Sequence, residues 1–126
     1  MGHPRAIGEA FHITTDEVLT WNQHYEAVGR ALGVPPKLVH MASDTLIALE
    51  PNLAGGLLGD KASSVVLDNA KIKEFVPTYQ ATMTFQEGVN QAVAWFRADS
   101  ARQSIDPQSN AMYARLLAAN ERVFVG

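Results

Sequence analysis

At the end of a glycine-dense stretch, Gly55-Gly56-Leu57-Leu58-Gly59, the sequence sets Asp60 directly beside Lys61. An acceptor-only carboxylate next to a flexible ammonium suits a small ligand carrying hydroxyls or an anionic group. The plainer reading of the same two residues is a solvated turn pair. The glycine spacing is not that of a dinucleotide fingerprint, and no glycine precedes a Lys-Ser or Lys-Thr pair as a P-loop requires. His3, His12, His24 and His40 include no pair at i, i+4, so no local metal motif is present. Asp16-Glu17 are neighbours in a turn, and Asp68 is placed to cap a helix, which leaves no carboxylate pair spaced for acid–base chemistry. Trp21, Tyr25, Trp95 and Phe96 could line a pocket but stand on or beside apolar helix stripes, where packing explains them.

Those residues need elements to position them. Residues 8–13 read as a short extended run with Phe11 and Ile13 on one face. Thr20 and Gln23 form a capping box, followed by Trp21, Tyr25, Val28 and Leu32 at i, i+4, i+7 and i+11, with Gly33 as the stop. Residues 37–41 are a second extended candidate, and Ser43 or Asp44 can cap a short helix ended by Pro51. Residues 52–64 read as an irregular, glycine-rich loop. Val65, Val66 and Leu67 read as a third strand, ahead of a helix from Asn69 to Phe75. Thr84 and Glu87 form a second capping box before a stripe of Phe85, Val89, Ala92, Val93 and Phe96. Asp106 with Pro107 opens a last helix, on which Met112, Leu116, Ala119 and Val123 recur every turn. Short strands interleaved with helices predict an α/β or α+β domain, a small sheet packed with four to five helices.

Composition bounds what such a domain does. The chain has 126 residues, 47% hydrophobic and 18% charged, enough for one core and too few charges for disorder. A net charge of −3 argues against coating nucleic acid, and the absence of cysteine excludes disulfides, thiolate zinc sites and a Cys nucleophile. No apolar run approaches a membrane span, and no leader pattern is seen, so a cytoplasmic protein with no nucleic-acid or membrane partner is the expectation.

Several segments, in order, resemble the carboxy-terminal, substrate-binding region of the NAD-dependent epimerase/dehydratase family, the extended short-chain dehydrogenase/reductases. They are residues 2–14, Thr20-Trp21-Asn22-Gln23 with Leu32-Gly33, Gly59-Asp60, the Asp-x-x-Lys of Asp68 to Lys71, and Phe85-Gln86-Glu87-Gly88 running to Trp95-Phe96. The resemblance covers nearly the whole chain and implies one substrate-binding domain, residues 1–126, whose nucleotide-binding domain lies elsewhere. It implies an isomerase or oxidoreductase parent that uses NAD or NADP, with no cofactor held by this chain itself. The family's Tyr-x-x-x-Lys pair is missing, because four residues after Tyr25, Tyr79 and Tyr113 stand Gly29, Met83 and Leu117. Leu57 stands where nucleotide-sugar members place an Arg, a position for which Lys61 or Arg5 can substitute. The implied substrate-binding residues are therefore Asp60, Lys61 and Arg5, acting on a hydroxylated small molecule, a nucleotide sugar or a relative of one. The implied partner is the nucleotide-binding domain. The alternative is a stand-alone helical module that associates with itself as a homodimer. Titration calorimetry of the isolated chain against NAD is expected to give no tight binding isotherm, and a tight one contradicts the resemblance-based reading.

Overall fold

The computed structural model describes residues 4–124, with side chains up to Arg122. Met1, Gly2 and His3, the start of the first resembling segment, and the side chain of Val123 on the last stripe lie outside the described residues. Among the described residues the protein is all-helical, 59% helix with no strand. The expected small sheet is therefore wrong. Residues 9–15, 37–41 and 65–67 are all non-helical, but they form no ladder. Where the first of these passes residues 68–69 it is held by side chains instead. His12 Nδ1 lies 3.3 Å from the carbonyl of Asp68, and Asn69 Nδ2 donates to the carbonyl of Thr14 at 3.0 Å. Alternating apolar residues show that a stretch can serve as a strand; they do not supply the partner edge that makes it one.

The helices are α1 (Trp21–Leu32), α2 (Ser43–Leu49), α3 (Ala70–Phe75), α4 (Phe85–Arg97) and α5 (Pro107–Phe124). Single 3-10 turns occupy Pro4–Ala6, Pro51–Leu53 and Ser100–Arg102. The glycine stretch expected to be irregular is a wide π turn, Gly55–Asp60, closed by Lys61 N donating to Gly56 O at 2.9 Å. Capping was the most legible feature. At α1, Thr20 and Gln23 exchange both capping-box bonds, and Gly33 ends the helix in the left-handed region at φ 73°. At α4, Glu87 accepts from the Thr84 backbone N–H at 2.8 Å while Thr84 Oγ1 accepts from the Glu87 N–H at 3.2 Å. At α5 the Asp106 carboxylate accepts from the N–H groups of Gln108 and Ser109. α2 differs from expectation: Ser43 and Asp44 lie within the helix, Ala42 precedes it, and no side chain caps it.

The chain divides into two compact units. The first takes the chain up to Pro35 together with Val65–Val93; the second takes Pro36–Ser64 together with the chain from Ala94 on. In the first, α1 meets the start of α4 through buried Ala27, whose carbonyl accepts from Gln86 Nε2 at 3.1 Å, while Arg30 Nε donates to Gln86 Oε1 at 2.7 Å. The His24 ring stands edge-on to Phe85 with centroids 4.4 Å apart. The inward face of α1 is thus His24, Ala27 and Ala31, and not the aromatic stripe. Phe11 packs edge-on against Phe75 at 4.9 Å. In the second unit Leu116 is the most buried residue of α5, between half-buried Met112 and Ala119, and Arg115 pairs with Glu50 at 2.7 Å. Among the described residues no helix is long and apolar enough to cross a membrane.

Two glycines separate conformational need from mere presence. A side chain at Gly33 is forced into the left-handed region, whereas Gly55 has negative φ and nothing within 4 Å of an added Cβ. Gly33→Ala should lower unfolding free energy by about 1 to 2 kcal/mol in urea titration. Gly55→Ala should leave it unchanged or raise it by up to about 1 kcal/mol, because only the unfolded chain loses freedom.

Candidate functional site

The first unit carries a cleft of about 710 Å³ lined by residues 13–19, His24, residues 65–69 and residues 83–85. Its size is in the range of small-molecule pockets, and its walls mix apolar side chains with carboxylates, hydroxyls and one imidazole. Three helix starts border it, those of α1, α3 and α4. Helix starts present free N–H groups and a partial positive charge. In this protein they are already answered by the chain's own acceptors. Glu17 Oε2 accepts from the Phe85 N–H at 2.7 Å, from 68 residues away, and Asp68 Oδ1 accepts from the Ala70 N–H at 2.9 Å.

Asp16 and Asn69 form the polar centre of the same wall. Asn69, 8% exposed, donates from Nδ2 to Asp16 Oδ1 at 2.9 Å as well as to Thr14 O. Lys73 Nζ reaches the same Asp16 oxygen at 2.6 Å. The bond from Lys73, then that from Asn69, holds the Asp16 carboxyl below the usual carboxylate range. Tyr79 Oη donates to Thr14 O at 3.1 Å, so one carbonyl receives both the tyrosine and the Asn69 amide.

The sequence-derived site residues are elsewhere. Asp60 and Lys61 end the π turn in the second unit, paired to each other at 2.8 Å with the Asp60 side chain 79% exposed. The Lys61 ammonium holds the Asp60 carboxyl below its ordinary value. Arg5 belongs to the first unit, where its guanidinium stands 5.2 Å from the Phe75 ring centroid. None of the three lines the cleft, and neither unit contains all three. Sequence reasoning missed Glu17, Asn69 and Tyr79. Their partners lie 68, 55 and 65 residues away, and no local pattern announces a bond of that span.

Among the described residues no three His, Asp or Glu side chains gather as a metal site. The glycine run is a π turn whose closing N–H, that of Lys61, is spent on Gly56 O, and the starts of α1 and α4 are filled by Thr20 and by Glu17 with Thr84. No protein-family model matches the chain, and no curated protein or solved structure does either.

The lowered Asp16 value sets a sign. Because the folded-state pKa lies below the unfolded one, this carboxylate adds stability above the ordinary carboxylate range, and that contribution disappears as pH falls through the folded value. Asp16→Asn should lower the melting temperature at neutral pH, and the difference from the parent should shrink as pH falls through and below the folded value. Thermal melts across that range check it.

Proposed function

We propose that this chain is the substrate-recognition part of an NAD(P)-dependent epimerase/dehydratase, acting on a hydroxylated small molecule and inactive without a separate nucleotide-binding domain. The observation that carries the reading is the apolar stripe of α1. Trp21 is 61% exposed, Tyr25 58%, Leu32 38% and Val28 36%. A capped amphipathic helix that leaves Trp21 and Tyr25 more than half open to solvent presents apolar surface that a further domain can cover. The resemblance supplies what covers it, the missing nucleotide-binding domain. It is further supported by where the resembling segments fall: residues from three of them, Ile13 and Thr14, Asp68 and Asn69, and Phe85, line one open cleft.

In this reading Asp60 accepts from ligand hydroxyls, and Lys61 exchanges its exposed partner for an anionic group of the ligand. An exposed ion pair contributes little, so the exchange meets small resistance. The acid–base and hydride chemistry belongs to the absent domain. The same exposed stripe also favours the second reading, a self-associating module in a cytoplasmic homodimer.

Mixing the chain with a separately produced nucleotide-binding domain of the family should quench or shift Trp21 fluorescence and raise the melting temperature, with Trp21→Ala abolishing both. Concentration-dependent dimers in sizing chromatography, unaffected by that domain, favour the second reading. Asp60→Ala should remove any melting-temperature shift given by a polyol or a sugar nucleotide; an unchanged shift takes Asp60 out of the site. Oxidation of an alcohol by the chain alone overturns the proposal.

A further inference from the structure

We infer that the first unit accepts an extended, basic peptide segment as an added strand along Val65, Val66 and Leu67. Among the described residues, no backbone hydrogen bond engages these three. The nearest anchors are Lys61 N on Gly56 O before them and the Asp68 carbonyl at His12 Nδ1 after them. The side chains are of the types that fit a pleated surface, and they are 71%, 67% and 53% exposed. An exposed, unpaired run of this composition is a template for a further strand, whose main-chain bonds give affinity and whose alternate side chains give specificity. The neighbouring non-helical run does not serve, since it is held at residues 12–14 by side-chain bonds from His12 and Asn69.

Charge selects the occupant. Asp16, Glu17 and Asp68 line the cleft beside this run, and Lys73 is the ammonium bonded among them. Three carboxylates against one lysine and roughly half a positive charge from each of the two long helix starts leave the wall at about −1. A second copy pairing through the same run brings two such walls to one edge, where like charges repel. A strand with lysines flanking apolar residues meets the wall with the opposite sign. This surface shares a cleft wall with the substrate reading above but uses neither Asp60 nor the α1 stripe, so the peptide test and the Asp60 and Trp21 tests fail separately.

Amide hydrogen exchange on the full chain tests it, with a short peptide alternating lysine and valine as the probe. Exchange at Val65, Val66 and Leu67 should be fast in the free chain and slow by about tenfold or more at saturating peptide. The same peptide N-methylated on alternate amides keeps its charge and should give no protection, and a glutamate-for-lysine version should give none either. Val66→Pro should abolish protection at Val65 and Leu67 with helical circular dichroism unchanged; if that variant does not fold, the N-methylated comparison on the parent chain decides. Equal protection by the N-methylated peptide overturns the inference. So does protection that rises with protein concentration without peptide, which is pairing between copies.

Discussion

The side-chain amide of Asn69 is the junction on which the first unit depends. It is the one buried polar residue among those described, and it spends its two donors on the carbonyl of Thr14 and the carboxylate of Asp16. That brings the segment before α1 against the start of α3. From there Lys73 neutralises Asp16, Tyr79 adds a second donor to Thr14 O, and Glu17, one residue on, reaches the first N–H of α4. The buried group is the amide itself: with both donors used it bears no unpaired N–H away from water, while Thr14 O keeps Tyr79 and the exposed Asp16 keeps Lys73 as further partners. No apolar cluster of comparable definition does this work here. Ala27 and Leu116 are the buried hydrophobics, and no described side chain is fully enclosed.

This thin core explains why so much apolar surface is left over. α1 buries small Ala27 against Gln86 and keeps Trp21 and Tyr25 largely outside. Small residues permit close approach of two helices, so a polar side chain can bond directly to a backbone carbonyl there. The large residues then stand on a face that this contact cannot reach. Helix formation and helix burial are separate decisions in this chain, the first made by caps and the second left to contacts.

That separation also describes what was legible in the sequence. The bounds of α1, α4 and α5 follow from Thr20 with Gln23, Thr84 with Glu87, and Asp106 with Pro107, because a cap works over three residues and needs nothing distant. The stripe on α5 points inward at Met112, Leu116 and Ala119 as its period implies. On α1 the stripe points outward, since periodicity identifies a face without naming what it faces. The sheet failed for a related reason: strands are defined by pairing, and residues 9–15 and 65–67 do not pair with one another, the first being held by side-chain bonds from His12 and Asn69. The glycine run failed because a π turn has no composition cue of its own, and glycine is read as irregular by default. Of the candidate site, Asp60 and Lys61 were found as a pair, while the cleft was invisible, being assembled from bonds that span 53 to 68 residues.

Those spans govern the order in which the first unit can form. Its bonds join residues 12–17 to residues 68–85, and residues 36–64, which belong to the other unit, intervene in the sequence. Contacts of such high separation carry a loop-closure cost that must be met before any of them stabilises the chain. During synthesis α1 therefore emerges with its caps complete while the partners of its inward face, Phe85 and Gln86, are not yet made. A folding rate set by the Asn69 junction, with helix content appearing well ahead of it, is the kinetic signature of this topology.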